Sequence, residues 1–282
     1  MRSRLDRRLV GRATIAFVVM VLILVWRHPH WTDGSLHRVA QIDEAAGPAA
    51  LCRAHGWAPF RKPAGTRPRR VYDLFMINTE LDWLEIRLNT TYHDVDYFVI
   101  VESPKTFTNL DKPLVIKDSL DRLAPYRDKI IYHLLEIPEG FHSDRANPAW
   151  DWEDLQRDAM YTQVLPRLTG AQAPEAGDVL VVADVDEIVR PATLRVLRAC
   201  DFPRRLTLRS AFYYYSFQFL HRGPQWAHPQ ATYYAGARTL GPVHLRNGDG
   251  GLPPLVWLET ADLWDAGWHC SSCFATVAEQ LT

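Results

Sequence analysis

Residues 179–188 read VLVVADVDEI and decide the type of fold. Their first five residues are apolar and mostly β-branched, which is typical of a strand buried on both faces, as in a parallel sheet. Three acids follow within four positions, at Asp184, Asp186 and Glu187. Carboxylates beside apolar surface stay ionised only if a cation or hydrogen-bond donors compensate their charge. The stretch therefore predicts a buried strand that ends in a charged site.

Asp184 and Asp186 are the candidate metal ligands at this strand end. Mn²⁺ and Mg²⁺ prefer oxygen ligands and can keep coordination positions open for phosphate oxygens. Such an ion would stabilise the negative charge that grows on a departing diphosphate. The alternative is a strand-end turn with solvated acids and a helix cap, because Asp-x-Asp alone is a common pattern.

Strands and helices alternate around this stretch from Val71 onward. The alternation predicts an α/β domain with a mostly parallel central sheet, in which ligands bind beyond the carboxyl ends of the strands. We predict strands over 71–77, 95–101, 129–135 and 179–183, helices over 78–88 and 151–168 and from 191, and β-rich aromatic segments over 206–219 and 231–235.

Polar residues follow two other predicted strands and should share an edge of the sheet with Asp184. Asn78 and Glu80 come after the first strand, and Glu102 comes after the second. Glu102 could accept a hydrogen bond from a ribose or base group, or it could cap the following turn. We therefore assign Asn78, Glu80, Glu102 and Asp184 as candidate nucleotide-binding residues.

Two further polar groups are open to more than one interpretation. Glu153 and Arg157 lie one helical turn apart, either as an ordinary exposed ion pair or with Arg157 contacting a diphosphate. His269 could complete a metal site, since a neutral imidazole binds Mn²⁺, or it could be a structural histidine. The four cysteines could pair in an oxidising compartment, but their connectivity cannot be deduced from the sequence.

The N-terminal residues suggest membrane attachment. Five arginines in residues 1–12 precede an apolar run over 13–26, which is short for a membrane span and lacks a small-residue cleavage site. A signal anchor with a cytosolic N-terminus fits better than a cleaved signal peptide or a core helix. We therefore predict a cytosolic tail (1–12), an anchor (13–26), a proline-rich stem or linker (27–70) and a catalytic domain (71–282). The net charge of −1 gives no indication of nucleic-acid binding.

A series of segments in this order resembles glycosyltransferase family 17. The resemblance covers roughly residues 71–274 and is more specific than Asp-x-Asp alone. The matching segments are YDLF (72–75), ELDWLEIRL (80–88), VDYFVIVES (95–103), TFT (106–108), KPL (112–114), WE (152–153) with Arg157, DVDEI (184–188), and GWHCS (267–271) with CF (273–274).

The resemblance implies a GT-A-like fold and inverting transfer of N-acetylglucosamine from UDP-GlcNAc to a mannose of an N-glycan, in β-1,4 linkage. It also implies a single-pass type II Golgi membrane protein with a lumenal catalytic domain, and it supports Asp184 and Asp186 as the metal and diphosphate pair. Inversion requires a general base, for which Glu153 and Glu187 are unranked candidates.

Two other functions remain open from the sequence. One is a non-catalytic, membrane-anchored glycan-binding remnant of the family, and the other is a metal-dependent phosphohydrolase, for which we find no second acidic cluster. Members of the family continue beyond the segment around His269, whereas this chain ends at Thr282. It stays open whether the chain is truncated, in which case part of the acceptor or metal site would be absent.

Overall fold

The computed structural model describes residues 14–20, 47–62, 66–143 and 145–273. Its centre is an eight-stranded mixed sheet, with a separate two-stranded sheet at its side. The strands are β1 (Ala58–Pro59), β2 (Val71–Ile77), β3 (Tyr97–Glu102), β4 (Ile130–Leu134), β5 (Val179–Asp184), β6 (Glu187–Val189), β7 (Cys200–Asp201), β8 (Arg205–Tyr214), β9 (Gln230–Tyr233) and β10 (Thr260–Ser271).

Helices connect these strands and cover the sheet. They are α1 (Gly47–Ala54), α2 (Leu81–Thr91), α3 (Val115–Asp118), α4 (Ala149–Ala159), α5 (Pro191–Ala199), α6 (Pro242–Asn247) and α7 (Pro253–Glu259), with short 3₁₀ turns at Ala124–Tyr126, Leu165–Arg167 and Gly170–Gln172. Residues 14–20 are also helical. Among the described residues, we find no helix with the length and apolar character needed to span a bilayer.

The large sheet has the strand order β4-β3-β2-β5-β9-β8-β10-β6. Strands β2, β3, β4 and β5 pair in parallel, as do β8 and β10. Strands β9 and β6 are antiparallel to their neighbours. Both β2 and β5 are almost entirely buried, because apolar clusters pack on the two faces of the sheet. The prediction of an α/β domain with a mixed, mostly parallel sheet is confirmed.

The carboxyl ends of the parallel strands meet at one edge of the sheet. In the pairing register, Met76 of β2 lies opposite Asp184 of β5, and Tyr214 of β8 lies opposite Ser271 of β10. Since β8 runs antiparallel to β9 and β9 antiparallel to β5, the ends of β5, β8 and β10 share this edge. The residues that follow these strands can therefore build one site.

Part of the linker expected over 27–70 is packed against the domain. A disulfide joins Cys52 of α1 to Cys200, and β1 pairs with β7. The guanidinium of Arg69 donates hydrogen bonds to the carbonyls of Leu197 and Cys200, at 2.8 and 2.7 Å. Segments within 47–62 and 66–70, which the sequence assigned to the linker, are thus packed against the domain through contacts with residues far along the same chain, which composition does not reveal.

Two further elements differ from the sequence-based expectations. The helix expected over 151–168 begins at Ala149 and is a regular α-helix to Ala159, after which the chain continues as a π-helical segment (Met160–Val164) and a 3₁₀ turn (Leu165–Arg167). Strand β10 was not predicted, yet it places His269 in the sheet beside β8. Of the anchor expected over 13–26, only residues 14–20 are described, and the rest lies outside the described residues.

Candidate active site

A cavity of about 220 Å³ opens at the carboxyl edge of the sheet. Residues from the ends of β2, β5 and β10 line it, together with residues of α2 and α4. The lining residues are Met76, Asn78, Glu80, Trp83, Phe107, Glu153, Asp184, Val185, Asp186, Cys270, Ser272 and Cys273.

A buried arginine fixes the strand end that carries the acids. Arg87 of α2 is 1% exposed, and its Nε donates to Oδ2 of Asp73 on β2 at 2.8 Å. Its Nη1 donates to the carbonyls of Asp184 and Glu187, at 3.0 and 2.8 Å. One side chain therefore satisfies main-chain acceptors on both sides of the turn from β5 to β6, which sets the direction of the acidic side chains.

Asp184 lies between two arginines. Arg157 of α4 donates to its Oδ1 at 2.8 Å, and Arg246 of α6 donates to its Oδ2 at 2.7 Å. Burial alone would raise the pKa of Asp184, but the positive charges of Arg246 and Arg157 lower it well below its usual value. Asp184 is therefore ionised and already compensated by protein charges.

Glu187 is buried and takes part in the same network. Nη1 of Arg246 lies 2.6 Å from its Oε2, Trp226 donates from its indole N–H to Oε1 at 2.8 Å, and the backbone N–H of Asp184 donates to Oε2 at 2.9 Å. Burial opposes ionisation of Glu187, yet Arg246 holds its pKa below the usual value. Because this carboxylate is fully buried and its oxygens are occupied, the structure does not place Glu187 where a general base would meet a substrate.

Asp186 is the acid of this group without an arginine partner among the described residues. Its Oδ2 lies 3.5 Å from Nδ1 of His269. Burial and the nearby charges of Glu187 and Asp184 raise the pKa of Asp186 well above its usual value. Its ionised form therefore needs a further positive charge.

The imidazole of His269 is held between aromatic rings. It stacks on Phe212 with ring centroids 5.1 Å apart and on Trp226 with centroids 4.9 Å apart. Burial lowers the pKa of His269, so the neutral form, which can bind a metal, is favoured. Its Nδ1 is buried, has no hydrogen-bond partner among the described residues, and lies 3.5 Å from Oδ2 of Asp186.

The predicted metal set of Asp184, Asp186 and His269 is thus only partly brought together. Within the residues that the structure describes, no group of three or more His, Cys, Asp or Glu side chains is arranged to hold an ion. Asp184 faces arginines, whereas Asp186 and His269 offer one oxygen and one nitrogen on the same side. This donor pair fits Mn²⁺ if phosphate oxygens and water complete the coordination, whereas Mg²⁺ would use the carboxylate oxygen without the imidazole.

Three other predicted residues line the cavity. Glu153 of α4 lies 2.8 Å from Nη1 of Arg157. Oε2 of Glu80 accepts the backbone N–H groups of Asn78 and Thr79, at 2.9 and 3.0 Å, and so shapes the loop after β2. Oδ1 of Asn78 is buried and has no hydrogen-bond partner in the described part of the chain, which leaves it able to accept a bond from a ligand.

Glu102 lies outside the cavity lining and is fully buried. Its Oε2 accepts the hydroxyl of Tyr132 at 2.7 Å, and its Oε1 accepts the backbone N–H of Ile116 at 3.1 Å. The nucleotide-binding role expected for Glu102 is thus not supported, because its carboxylate caps the first turn of α3. This contact resembles the alternative considered from the sequence, in which Glu102 caps the turn that follows its strand.

Arg246 and Trp226 are not among the residues predicted from the sequence. Arg246 lies on α6 and compensates both Asp184 and Glu187, and Trp226 contacts Glu187 and His269. Neither residue belongs to a local motif. The only available signal was the electrostatic one, since three clustered acids require cations from elsewhere in the chain.

The model of glycosyltransferase family 17 matches residues 14–282. The chain belongs to this family. The resemblance in the sequence is therefore confirmed, and the cavity with its acidic strand end is a cavity of a family 17 protein.

Three curated relatives that share one name are similar to the chain. The β-1,4-mannosyl-glycoprotein 4-β-N-acetylglucosaminyltransferases of Rattus norvegicus and Homo sapiens are each 26% identical to the chain over 235 residues, as is that of Mus musculus. The matches cover 73% of this family 17 chain but only 41% of each relative. The chain thus spans about two fifths of the length of these relatives.

A solved structure with some likeness is the mannosyltransferase PcManGT from Pyrobaculum calidifontis, in complex with GDP-Man and Mn²⁺. It is 14% identical, and the likeness covers 53% of this chain and 39% of that one, with a TM-score of 0.31. A similarity at this level carries no argument about the site.

Proposed function

We propose that the chain transfers N-acetylglucosamine from UDP-GlcNAc to a mannose of an N-glycan, in β-1,4 linkage with inversion at the anomeric carbon. The names of the 26% identical relatives support N-acetylglucosamine as the transferred sugar and a mannosyl-glycoprotein as the acceptor. The observation that carries the proposal is Asp186 at the cavity, which has no arginine partner among the described residues and whose Oδ2 lies 3.5 Å from Nδ1 of His269. Together with phosphate oxygens, this pair would hold a divalent ion that binds the diphosphate of a nucleotide sugar.

The charge balance of the cavity supports binding of a divalent cation. Arg157 and Arg246 contact Glu153, Asp184 and Glu187, whereas two further acids that line the cavity, Asp186 and Glu80, have no arginine partner among the described residues. Ionised carboxylates therefore outnumber the two guanidiniums, and this excess of negative charge would attract a cation. Bound Mn²⁺ or Mg²⁺ would supply electrostatic stabilisation of the leaving diphosphate.

The residues of the chain would perform the remaining steps. Arg157 is buried and is not among the residues that line the cavity, so it would hold Asp184, whose Oδ1 it binds, while Asn78, which lines the cavity, would accept a hydrogen bond from the nucleoside. Glu153 would take the proton of the acceptor hydroxyl. At the same time the oxygen of that hydroxyl would bond to the anomeric carbon, and the bond from this carbon to UDP would break. We choose Glu153 rather than Glu187 because only the former lines the cavity.

We also propose that the catalytic part is lumenal and anchored in the Golgi membrane as a type II protein. The basic residues 1–12 before the apolar run support this orientation. Disulfides Cys52–Cys200 and Cys270–Cys273 fit an oxidising compartment. Protection of the domain from protease in intact microsomes would test the orientation.

A second candidate function is a glycan-binding protein without catalysis. It is favoured by one observation, the complete compensation of Asp184 by Arg157 and Arg246, which resembles a structural ion-pair network. Such a protein would bind glycan without nucleotide or metal.

Calorimetric titration with UDP, with and without Mn²⁺, separates the two functions. The transferase should bind UDP only with Mn²⁺, and Asp186→Ala should abolish this binding with little change in the circular dichroism spectrum. Release of UDP from UDP-GlcNAc by the wild type, lost in Asp184→Ala and Asp186→Ala, would complete the case. Mn²⁺-dependent binding retained by Asp186→Ala would contradict the proposed site, and absence of UDP binding in the wild type would favour the glycan-binding protein.

A further inference from the structure

The end of β8 continues into an aromatic hairpin, which we define as residues 213–220. Tyr213 pairs with Leu220 in an antiparallel bridge, and the backbone N–H of Tyr214 donates to the carbonyl of Phe219 at 3.1 Å. The chain turns at Tyr215, whose φ is 61°. Because β8 is parallel to β5, the hairpin rises from the same edge of the sheet that carries Asp184.

The side chains at the tip of this hairpin are unusually exposed. Tyr215 is 63%, Phe217 53% and Phe219 59% exposed, and Tyr214 and Leu220 are exposed as well. Tyr214, Tyr215 and Phe219 surround an open cleft of about 550 Å³. Clustered exposed aromatic residues on a soluble domain mark a binding surface more often than scattered ones do.

The aromatic hairpin is continuous with the candidate active site. Phe217 packs edge-on against Trp83, with ring centroids 6.0 Å apart, and Tyr213 packs against Phe217 at 5.1 Å. Trp83 lines the cavity and donates from its indole N–H to the carbonyl of Cys273, another lining residue, at 2.9 Å. An aromatic surface thus leads from the wall of the cavity to the exposed tip.

The composition of the hairpin indicates what it binds. Residues 213–220, YYYSFQFL, contain no charged side chain, while Ser216 and Gln218 provide polar groups between the rings. The negative face of an aromatic ring attracts weakly positive C–H groups, which one face of a pyranose sugar presents, and hydroxyl groups of the sugar need polar partners. Anionic lipid surfaces instead attract basic residues, which the hairpin does not contain.

We propose that the aromatic hairpin is the acceptor-binding platform, on which a neutral pyranose unit of the acceptor glycan stacks while its reacting hydroxyl reaches the cavity. This inference rests on the proposed transferase function for the reacting end of the glycan, but direct glycan binding tests it separately. Phe219 and Tyr215 provide the exposed faces, and Phe217 positions the hairpin against Trp83.

The test uses the variants Phe219→Ser and Tyr215→Asn, since asparagine tolerates the left-handed conformation at residue 215. Leu252→Ser is the matched control, because Leu252 is 69% exposed and does not line the cavity. The probe is a branched trisaccharide of three mannoses, and its binding is measured by saturation-transfer NMR in the absence of nucleotide. UDP release from UDP-GlcNAc without acceptor measures the cavity alone.

We expect the wild type and Leu252→Ser to bind the trisaccharide, and the two hairpin variants to lose most of the signal. In the transfer assay the variants should raise the KM for the acceptor about tenfold, as lost aromatic contacts of this kind predict, with donor hydrolysis at the wild-type rate. Glycan binding through Phe219 in a protein that does not hydrolyse the donor would support the platform and reject the transferase.

Three results would overturn the platform. The first is that the wild type hydrolyses the donor while both hairpin variants keep the wild-type acceptor KM and the wild-type binding of the trisaccharide. The second is that the wild type does not bind the trisaccharide. The third is that Phe219→Ser abolishes binding to phosphatidylcholine vesicles or dissociates a dimer in sedimentation while acceptor KM is unchanged, because the hairpin would then serve a membrane or a second copy.

Discussion

Arg246 donates to Oδ2 of Asp184 at 2.7 Å, the carboxylate oxygen opposite the one that Arg157 binds. The same guanidinium lies 2.6 Å from Oε2 of Glu187. A residue of a short helix, 59 positions after Glu187, thus provides the shared counter-charge for two acids of the strand end. Burial opposes the charge of Arg246, but Glu187 and Asp184 raise its pKa, so the network is ionised as a unit.

Replacing Arg246 should destabilise the fold strongly. Arg246→Met leaves Asp184 and buried Glu187 without their shared cation, and removal of one partner of a buried ion pair typically costs about 3–5 kcal/mol. Urea unfolding followed by tryptophan fluorescence measures this loss, with Arg222→Met, an exposed arginine, as the control.

A second substitution tests the origin of that loss. Adding Glu187→Gln to Arg246→Met removes one of the stranded charges, so the double variant should recover part of the stability. A loss in Arg246→Met no larger than in Arg222→Met, or a double variant less stable than Arg246→Met, would show that the ion pairs are not the source.

Glu153 and Glu187 should respond differently to removal of charge. Glu153→Gln keeps the shape of a cavity residue but removes its ability to accept a proton, so kcat should fall by about 10²–10⁴-fold. Its KM for UDP-GlcNAc and its thermal midpoint should change little. Steady-state UDP release with a mannose-containing acceptor measures both constants.

Glu187→Gln is the informative comparison. It weakens the buried bonds to Arg246 and Trp226, so its main effect should be lower thermal stability rather than a selective loss of kcat. A Glu153→Gln variant with wild-type kcat would exclude Glu153 as the base, and Asp186 and Glu80, the remaining lining acids outside the arginine network, would be tested next.

The sequence predicted the parts of the fold that depend on local patterns. The apolar runs at 71–77 and 179–183 are strands in the structure, since continuous β-branched and apolar residues suit a strand buried on both faces. The position of the site beyond the carboxyl end of β5, where Asp184 lies, was predicted from the rule that ligands bind at the carboxyl ends of parallel strands. Strand β10 was missed because its aromatic and polar residues, including His269, follow no simple alternation.

The contacts of the site could not be predicted in the same way. Glu102 follows a strand as Asp184 does, yet it is buried beneath Tyr132 instead of lining the cavity. Arg246 and Trp226 reach the acids from distant elements, and pairing between distant residues has no signature in one sequence. The same holds for the disulfide between Cys52 and Cys200, which are separated by 148 positions.

That disulfide should contribute substantially to stability. It joins α1 to the end of α5, so its removal releases residues that also pack as β1 against β7. Loss of a native disulfide that closes a long loop typically costs about 2–5 kcal/mol. Guanidinium unfolding of Cys52→Ser/Cys200→Ser should therefore show a clearly lower midpoint than the wild type.

Reduction provides the complementary control for the disulfide. Dithiothreitol should lower the midpoint of the wild type more than that of the double variant, which retains only the Cys270–Cys273 pair among the described cysteines. If the double variant unfolds at the wild-type midpoint, α1 and β1 are held by packing alone and the disulfide is dispensable.

Asp158 on α4 should make stability depend on pH. Burial raises its pKa, although the backbone N–H of Val243 donates to its Oδ1 at 3.2 Å. An acid whose pKa is higher in the folded than in the unfolded state binds more protons when folded. Its contribution to the free energy of unfolding is therefore present below the unfolded pKa and is lost as the pH rises through the folded pKa.

Asp158→Asn removes this titration while its side-chain oxygen can still accept the hydrogen bond from Val243. The difference in thermal midpoint, variant minus wild type, should therefore increase as the pH rises from about 4 to 7, the range above the ordinary pKa of an aspartate. Differential scanning calorimetry at several pH values measures the gap, with exposed Asp121→Asn as the control. If the difference in thermal midpoint between the variant and the wild type stays constant or narrows over this range, charges in the fold compensate Asp158. Burial between α4 and α6, which the hydrogen bond from Val243 indicates, would then not raise its pKa.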